Sequence, residues 1–408
     1  MARRYVAGGL AVAVLVAGAS AVALHQNLGK AGSGPRRVVQ QAPSPTSAAR
    51  IFYGESDHLS SARLDGASLG PATTQLFNRG PDMNAPAWPS PDRHWLLLAD
   101  GELIDLTADQ PVPPIQAVPL ELVAGSPIRA PEGSEPQLTT SSPWADHSRR
   151  LVVAYGDQLR SVELATGATA ALGTGQRPAG DPVTNGAAYV VPGTLPPLGD
   201  KDFFAAPFAV VTRIERVSAG GRPQTLVTGP QLVSALHGSA AAVAVATSVV
   251  FSPDGGRLAL VLALIDGARR SGAVVVLDRR GGIVDVSPTA YAHGLTWLAW
   301  APTGDRLAFG IPFARTLSIG LGGDNPPFLE AQLWRPGAGS ARPVLAPAPG
   351  NRPLDTPCIW SPDGTQLLCG SELSWSFLDV SARRATVRES VPGRPLAWVP
   401  AYAGSSHG

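Results

Sequence analysis

A chain of 408 residues with 32 basic and 31 acidic side chains carries a formal charge of +1, and no basic run interleaves with aromatics, so binding to nucleic acid is not expected. The 40 prolines and 45 glycines among 44% apolar residues exclude long helices as the main element and fit many short strands joined by tight turns. Two cysteines make neither a disulfide framework nor a zinc pattern, and no histidine stands in metal spacing with another, so no metal and no cofactor is expected.

At the N-terminus, Arg3 and Arg4 precede an apolar stretch over residues 5–24, rich in Ala, Val and Gly. Small-residue cleavage patterns occur at Ala19-Ser20-Ala21 and Ala21-Val22-Ala23, which marks an export signal. The stretch is long enough to span a bilayer but only weakly hydrophobic, so a cleaved signal peptide and a retained signal anchor over residues 1–24 both fit. Either reading puts the rest of the chain outside the cytoplasm, secreted or tethered to the cytoplasmic membrane. Residues 25–49 are mostly Gly, Ser, Pro, Ala and Gln and cannot bury enough surface to order themselves, which predicts a disordered linker. A folded unit over residues 50–402 and a tail at 403–408 follow.

The folded unit reads as a repeat. Trp88-Pro89-Ser90-Pro91-Asp92 leads into Trp95-Leu96-Leu97-Leu98, and Trp144-Ala145-Asp146-His147-Ser148 leads into Leu151-Val152-Val153. A weak copy, Asp181-Pro182-Val183-Thr184-Asn185-Gly186, precedes Ala188-Tyr189-Val190-Val191. Phe251-Ser252-Pro253-Asp254-Gly255 leads into Leu258-Ala259-Leu260, and Trp300-Ala301-Pro302-Thr303-Gly304 into Leu307-Ala308-Phe309. Trp360-Ser361-Pro362-Asp363-Gly364 leads into Leu367-Leu368, and Trp398-Val399-Pro400 is a half copy. In Ser361-Pro362-Asp363-Gly364 proline presets φ, aspartate bonds nearby backbone and glycine takes the positive φ that closes a hairpin, and the other copies keep parts of this set.

The six steps from Trp88 to Trp398 average about 52 residues, in the range of radially repeated sheets. Two more strand-like pieces follow each copy, and four strands per repeat make a propeller blade. Ile51-Phe52-Tyr53 with residues 59–64 and 74–77 supply second, third and fourth strands without a first. Leu396-Ala397-Trp398-Val399 is a first strand with nothing after it, so the two termini are expected to complete one blade and close the ring. The predicted fold class is an all-β propeller, expected as a monomer, with a count of seven blades. Six or eight remain open because the copy at Asp181 is poor.

The W/F-S-P-D-G motif before an apolar strand, in residues 251–260 and 360–368, resembles the PD40 (WD40-like, TolB-type) β-propeller repeat of exported bacterial proteins. The resemblance covers about residues 50–402 and implies fold and compartment more than activity. Such propellers serve as partner platforms, as lids on peptidases and, in divergent relatives, as enzymes. The α/β-hydrolase domain of the tandem peptidase relatives is expected to be absent, since little sequence follows Tyr402.

Each candidate functional residue also has a structural role open to it. The repeated aromatics Trp88, Trp144, Phe251, Trp300, Trp360 and Trp398 are read as wedges between blades rather than a stacking platform. Asp92, Asp254 and Asp363, with Gly255 and Gly364, are read as turn residues rather than metal carboxylates. Gly66-Ala67-Ser68-Leu69-Gly70 matches the nucleophile-elbow pattern but is followed by Pro71 and a further strand, not a helix, so no catalytic residue is assigned.

Long connections over residues 110–143, 192–207, 230–247 and 311–330 exceed a hairpin loop, and binding residues concentrate on such loops. Asp202, Phe203, Phe204, Asp324 and Asn325 are the binding candidates on them, and a short helix is expected within 230–247. The expectation for function is an exported or membrane-tethered, non-catalytic protein-interaction or ligand-binding platform in the bacterial cell envelope, with a protein partner there; an enzyme of lyase or hydrolase type with its site in the central channel is the alternative.

Cys358 and Cys369 flank one hairpin; if Ser361 pairs with Gln366 they stand opposite each other on adjacent strands, and a disulfide is expected in an exported chain. Mass spectrometry of the unreduced protein reads this directly. The oxidised mass is the expected result, and two free thiols after export would exclude the bridge.

Overall fold

The structure is a computed structural model that describes residues 45–55, 58–65, 68–76, 87–98, 101–107, 115–116, 141–155, 157–194, 209–267, 269–287, 297–312, 329–338, 341–343, 358–370, 374–381, 384–389 and 393–402. Apolar runs broken by turn residues fold as strands. The first are β1 (Pro45–Glu55), β2 (His58–Asp65) and β3 (Ser68–Leu76). β4 (Ala87–Pro89), β5 (Trp95–Leu98), β6 (Glu102–Asp105) and β7 (Ile115–Gln116) make one sheet. β8 (Trp144–Ala145), β9 (Arg150–Tyr155), β10 (Gln158–Glu163) and β11 (Thr169–Thr174) make the next.

After these come β12 (Gln176–Gly180), β13 (Gly186–Pro192), β14 (Ala209–Ser218), β15 (Gln224–Thr228) and the helix α1 (Gly229–Ala235). β16 (Val243–Phe251), β17 (Arg257–Asp266), β18 (Arg269–Asp278) and β19 (Ile283–Val286) follow. The last strands are β20 (Trp297–Trp300), β21 (Leu307–Pro312), β22 (Leu329–Trp334) and β23 (Arg342–Pro343), then β24 (Ile359–Trp360), β25 (Gln366–Gly370), β26 (Ser374–Asp379), β27 (Arg384–Glu389) and β28 (Arg394–Tyr402).

All pairings are antiparallel, in five four-stranded sheets and one eight-stranded sheet. The first sheet has the order β28-β1-β2-β3, with Ile51 opposite Trp398 and Arg50 opposite Val399. β1 begins at Pro45, inside the stretch expected as linker, because the ladder to β28 continues from Ala49–Pro400 to Pro45–Tyr402 across a bulge. In the eight-stranded sheet, Arg213 to Arg216 of β14 pair with β15 while Ala209 and Val210 pair with Ala246 and Val245 of β16.

The helix lies earlier than the alanine-rich run suggests. Gln231 Oε1 accepts the Thr228 N–H at 2.9 Å, and Pro230 stands in the first turn, so the start signal falls at Thr228. From Val243 onward alternating β-branched residues make β16 instead, since valine packs better on a pleated surface than in a helix. Of the elbow-like motif, Ser68, Leu69 and Gly70 open β3, a strand paired antiparallel with β2, where the elbow pattern needs a helix.

Neighbouring sheets pack through apolar clusters such as Trp88, Leu97, Trp144 and Leu151, or Trp297, Ala308, Trp360 and Leu367. β4, β8, β20, β24 and β28 of the four-stranded sheets, with β12 and β16 of the eight-stranded one, contribute to the wall of one axial cavity. Three indoles tie these strands together: Trp144 Nε1 donates to Trp88 O at 2.8 Å, Trp300 Nε1 to Val250 O at 3.1 Å and Trp360 Nε1 to Ala299 O at 3.1 Å. Each acceptor lies one residue before the aromatic position of the preceding hairpin.

That register shows Trp88 standing one place earlier than its apparent counterparts. Ser90 N–H bonds Trp95 O as Ser361 N–H bonds Gln366 O, so Pro89 occupies the position of Trp360. A one-residue shift in a strand reverses the face. Trp88 therefore wedges toward Trp144 of the following sheet, whereas Trp360 wedges toward Trp297 and Ala308 of the preceding one.

Replacing Trp144, Trp300 or Trp360 by Phe is expected to cost about 1 kcal/mol more than Trp398→Phe, because the first three leave a buried carbonyl without its donor. Trp398 Nε1 is buried and meets no acceptor among the described residues. Urea unfolding of the four variants measures the difference, and equal losses would contradict the role given to the indole bond.

Candidate functional site

The first-to-second hairpin turns form a collar at one end of the axis. In three of them the same bonds recur. Ser90, Ser252 and Ser361 each donate the hydroxyl to the aspartate two residues on at 2.6 Å, and each accepts the N–H five residues on at 2.9 Å. Gly255 and Gly364 sit at φ 63° and 70°, the left-handed region the turn requires, and Arg93 takes the same place at φ 62°. Asp92, Asp254 and Asp363 are thus occupied by their own turns.

The turns also touch one another. Asp92 N–H reaches Ser148 Oγ at 3.4 Å, and Asp146 N–H bonds the Asp181 and Thr184 carbonyls. A Cβ on Gly255 would lie 2.9 Å from Val183 Cγ2, so glycine also permits the close approach of adjacent turns. Because these turns share one end, the inner strands all begin at the other.

The cavity along the axis has a volume of about 290 Å³. Pro91, Pro182, Pro253 and Pro302 line it at the collar. Trp88, Trp144, Trp297, Trp300 and Trp360 contribute to the wall, with Ser90, Ser142 and Ser248 as hydroxyls. Its charged lining residues among those described are Arg93 and Arg394. Arg93 Nη1 donates to Trp398 O at 3.0 Å, a bond that ties the β4–β5 turn to β28 where Pro89 supplies no indole. Arg394 opens β28 at the opposite end and is 7% exposed. Neither arginine belongs to a repeated motif, so sequence reasoning missed both.

Two polar clusters lie off the axis around β13 and β14. Asp181 is fully buried and pairs with Arg216, whose guanidinium stands 5.8 Å from the Phe251 ring centre; Asp181 Oδ1 also accepts Val183 N–H at 3.0 Å. Tyr189 donates to Glu215 Oε2 at 2.8 Å, and Arg213 Nε donates to Glu215 Oε1 at 2.6 Å. Burial pushes the Tyr189 phenol up, and its bond to the Glu215 carboxylate adds to the rise. All three side chains stand on β13 and β14 of one sheet, and the Tyr189 ring packs with Leu159 and Leu172 of the preceding sheet.

Asp202, Phe203, Phe204, Asp324 and Asn325 lie outside the described residues, as does the apolar stretch 5–24. The structure does place the strands that flank them. β13 and β21 end, and β14 and β22 begin, at the end opposite the collar, as do β8 and β16. The four long connections therefore leave from one face. Cys358 and Cys369 are joined by a disulfide with Cα atoms 4.2 Å apart, between β24 and β25, where Ile359 faces Leu368. Among the described residues no group of three or more His, Cys, Asp or Glu could hold a metal, and no helix is long and apolar enough to cross a membrane.

No family model and no curated protein matches the chain. Among solved structures, it is similar to hydrazine synthase of Kuenenia stuttgartiensis, with 15% identity, 78% of this chain and 87% of that one covered, and a TM-score of 0.47. It is similar to the dihydro-heme d1 dehydrogenase NirN at 14% identity, with 91% and 78% covered and a TM-score of 0.45. An oligogalacturonate lyase, solved in complex with manganese, aligns at 16% identity over 89% and 93% with a TM-score of 0.43. No residue role is carried over from them.

The collar aspartates predict the response to acid. Burial alone would raise Asp254 and Asp363, but hydrogen bonds from Ser252 and Gly256, and from Ser361 and Thr365, outweigh it and hold both below the usual carboxylate value. A depressed folded value means the stabilisation is complete above the unfolded value of about 3.9 and is lost as pH falls through the folded value. Stability measured by urea midpoint is expected to fall below about pH 4, and less steeply in Asp363→Asn. An unchanged acid limb in that variant would count against the assignment.

Proposed function

We propose that the chain is a seven-bladed propeller of the PD40, TolB-like type, exported or tethered to the membrane through residues 5–24, and that it serves as a non-catalytic protein-interaction platform in the cell envelope. The count takes the eight-stranded sheet as two blades joined by the β14–β16 pairing, β12 to β15 and β16 to β19, beside the five four-stranded sheets. The blade of β28, β1, β2 and β3 then closes the ring with strands from both termini.

The observation that carries the reading is the division between two faces. The collar face is made of short turns whose polar groups satisfy one another, while the strands that flank every long connection point those connections to the opposite face. Long loops on a rigid scaffold are where recognition is built. The described wall of indoles, prolines and serines with two arginines is a surface suited to binding, which supports the reading.

Photo-crosslinking in the native envelope tests this. A crosslinker at Thr194, exposed at the end of β13, is expected to capture one defined protein partner, and one at Thr166, exposed on the collar side, is expected to capture none. No capture at Thr194, or equal capture at both, would overturn the proposal.

A further inference from the structure

We infer that the outer rim of the collar end docks on an anionic lipid surface, with Arg222, Arg279 and Arg280 among the headgroups and Ile283 and Val284 seated below them, an inference that rests, for the direction the collar faces, on the reading of a chain tethered through residues 5–24.

Among the described residues, Ile283 and Val284 are the most exposed large apolar side chains, at 37% and 40%, and they are neighbours in β19. β19 is the outermost strand of its sheet, and the turn before it carries Arg279 and Arg280, both exposed. Gly281 of that turn lies against β15, where a Cβ on it would stand 2.1 Å from Leu226 O. Arg222, also exposed, stands at the β14–β15 turn, within about 13 Å of Leu226 along an extended chain. No ion pair engages these three guanidinium groups among the described residues. Both acids of the β18–β19 hairpin are engaged by backbone: Asp278 accepts Arg280 N–H and Gly282 N–H, and Asp285 accepts Gly337 N–H. Elsewhere at this end Arg150 pairs with Asp146 and Glu163, and Arg306 and Arg335 pair with Asp305. Apolar residues flanked by arginines are the composition that seats at an anionic bilayer interface.

Topology sets this rim at the end where the described chain begins. Ser218 pairs with Gly186 and Asp278 with Arg257, residues that close collar turns, so both outer turns lie at the collar end. β1 runs antiparallel to β28 and begins at Pro45, opposite Tyr402 and beyond Trp398, whose carbonyl Arg93 of a collar turn reaches. From there residues 25–44 span at most about 70 Å to the apolar stretch. A tether of that reach holds the domain near a bilayer without fixing its orientation. The arginine rim fixes it, with the collar end toward the lipid and the long connections away from it.

The full chain carrying Val284→Cys, or Thr194→Cys at the opposite end, tests this when the introduced thiol bears an environment-sensitive fluorophore, the native cysteines being joined to each other. Each is mixed with vesicles of phosphatidylcholine alone and of equimolar phosphatidylcholine and phosphatidylglycerol. On the anionic vesicles the probe at 284 is expected to shift to the blue and the probe at 194 to stay unchanged, with no shift at 284 on the neutral ones. Adding Arg222→Gln, Arg279→Gln and Arg280→Gln is expected to raise the lipid concentration at the midpoint of the shift by about tenfold or more. The docking is refuted if the probe at 284 ignores anionic lipid, if it responds alike on neutral lipid, if the probe at 194 responds as strongly, or if the folded triple variant keeps the parent's midpoint. A shift with soluble poly-glutamate but not with vesicles assigns the rim to an acidic polypeptide and refutes it too. Flotation on the neutral vesicles judges the tether separately: its loss, with the shift at 284 intact on anionic lipid, removes the tether and keeps the rim. The two lipid compositions, compared on the chain with all three arginines, decide the matter even if the triple variant does not fold.

Discussion

Trp144, Trp300 and Trp360 each place an indole N–H on a carbonyl of the inner strand before them, and much of the ring follows from that bond. Most adjacent sheets of a propeller meet face to face and share no backbone ladder, so apolar packing alone leaves them free to slide along the strand direction. A directional bond at one fixed position removes that freedom. It also explains why tryptophan is used where phenylalanine would fill similar space: the ring provides the wedge and the nitrogen provides the register. The same register brings the hairpin turns to one level, where their backbone groups and glycines meet in a collar.

Where the indole is missing, a different interaction takes its place. Pro89 holds the aromatic position of β4, and Arg93 of the adjoining turn reaches the Trp398 carbonyl. Gly180 holds it in β12, and a Cβ there would lie 2.3 Å from Trp144 O, so the two backbones have closed on each other and Gly180 N–H bonds Ser142 O at 2.8 Å. Phe251 holds it in β16 without a donor, and the Arg216 cation over its ring is anchored by the buried Asp181. Burying that ion pair is costly unless the remaining lone pairs are used; Asp181 Oδ1 spends its own on Val183 and Thr184 N–H. Ser141 adds a link across this part of the ring, accepting Val249 N–H and donating to Arg177 O.

The propeller architecture was legible because its signal is written many times over. A turn such as Trp360 to Gly364 declares itself by local chemistry, and its copies average out the noise in any one. The finer placement was not legible. Trp88-Pro89-Ser90-Pro91 reads as one more copy, but one residue more separates its aromatic from the serine than in Trp360-Ser361, and only the pairing of Ser90 with Trp95 reveals the shift. The alanines before β16 suggested helix because propensity is local, while the helix start is set by the Thr228 cap and Ala240–Ala242 form the turn that leads into the β16–β17 ladder. Arg394 was invisible for a related reason. Its place on the axis depends on β28 pairing with β1, residues more than three hundred positions apart in sequence.

That last dependence bears on where recognition arises in such a fold. The repeated positions are committed to the ring: serine and aspartate to the turns, tryptophan to the register, glycine to the approach of neighbouring turns. A residue that the repeat does not specify stands in a long connection, whose flanking strands meet the end opposite the collar, or at an inner-strand start, as Arg394 does. Both kinds of position are at the same end of the axis. On the platform reading proposed above, stability and recognition are divided along the axis, and a substitution at the end opposite the collar costs the ring less than the same substitution in the collar.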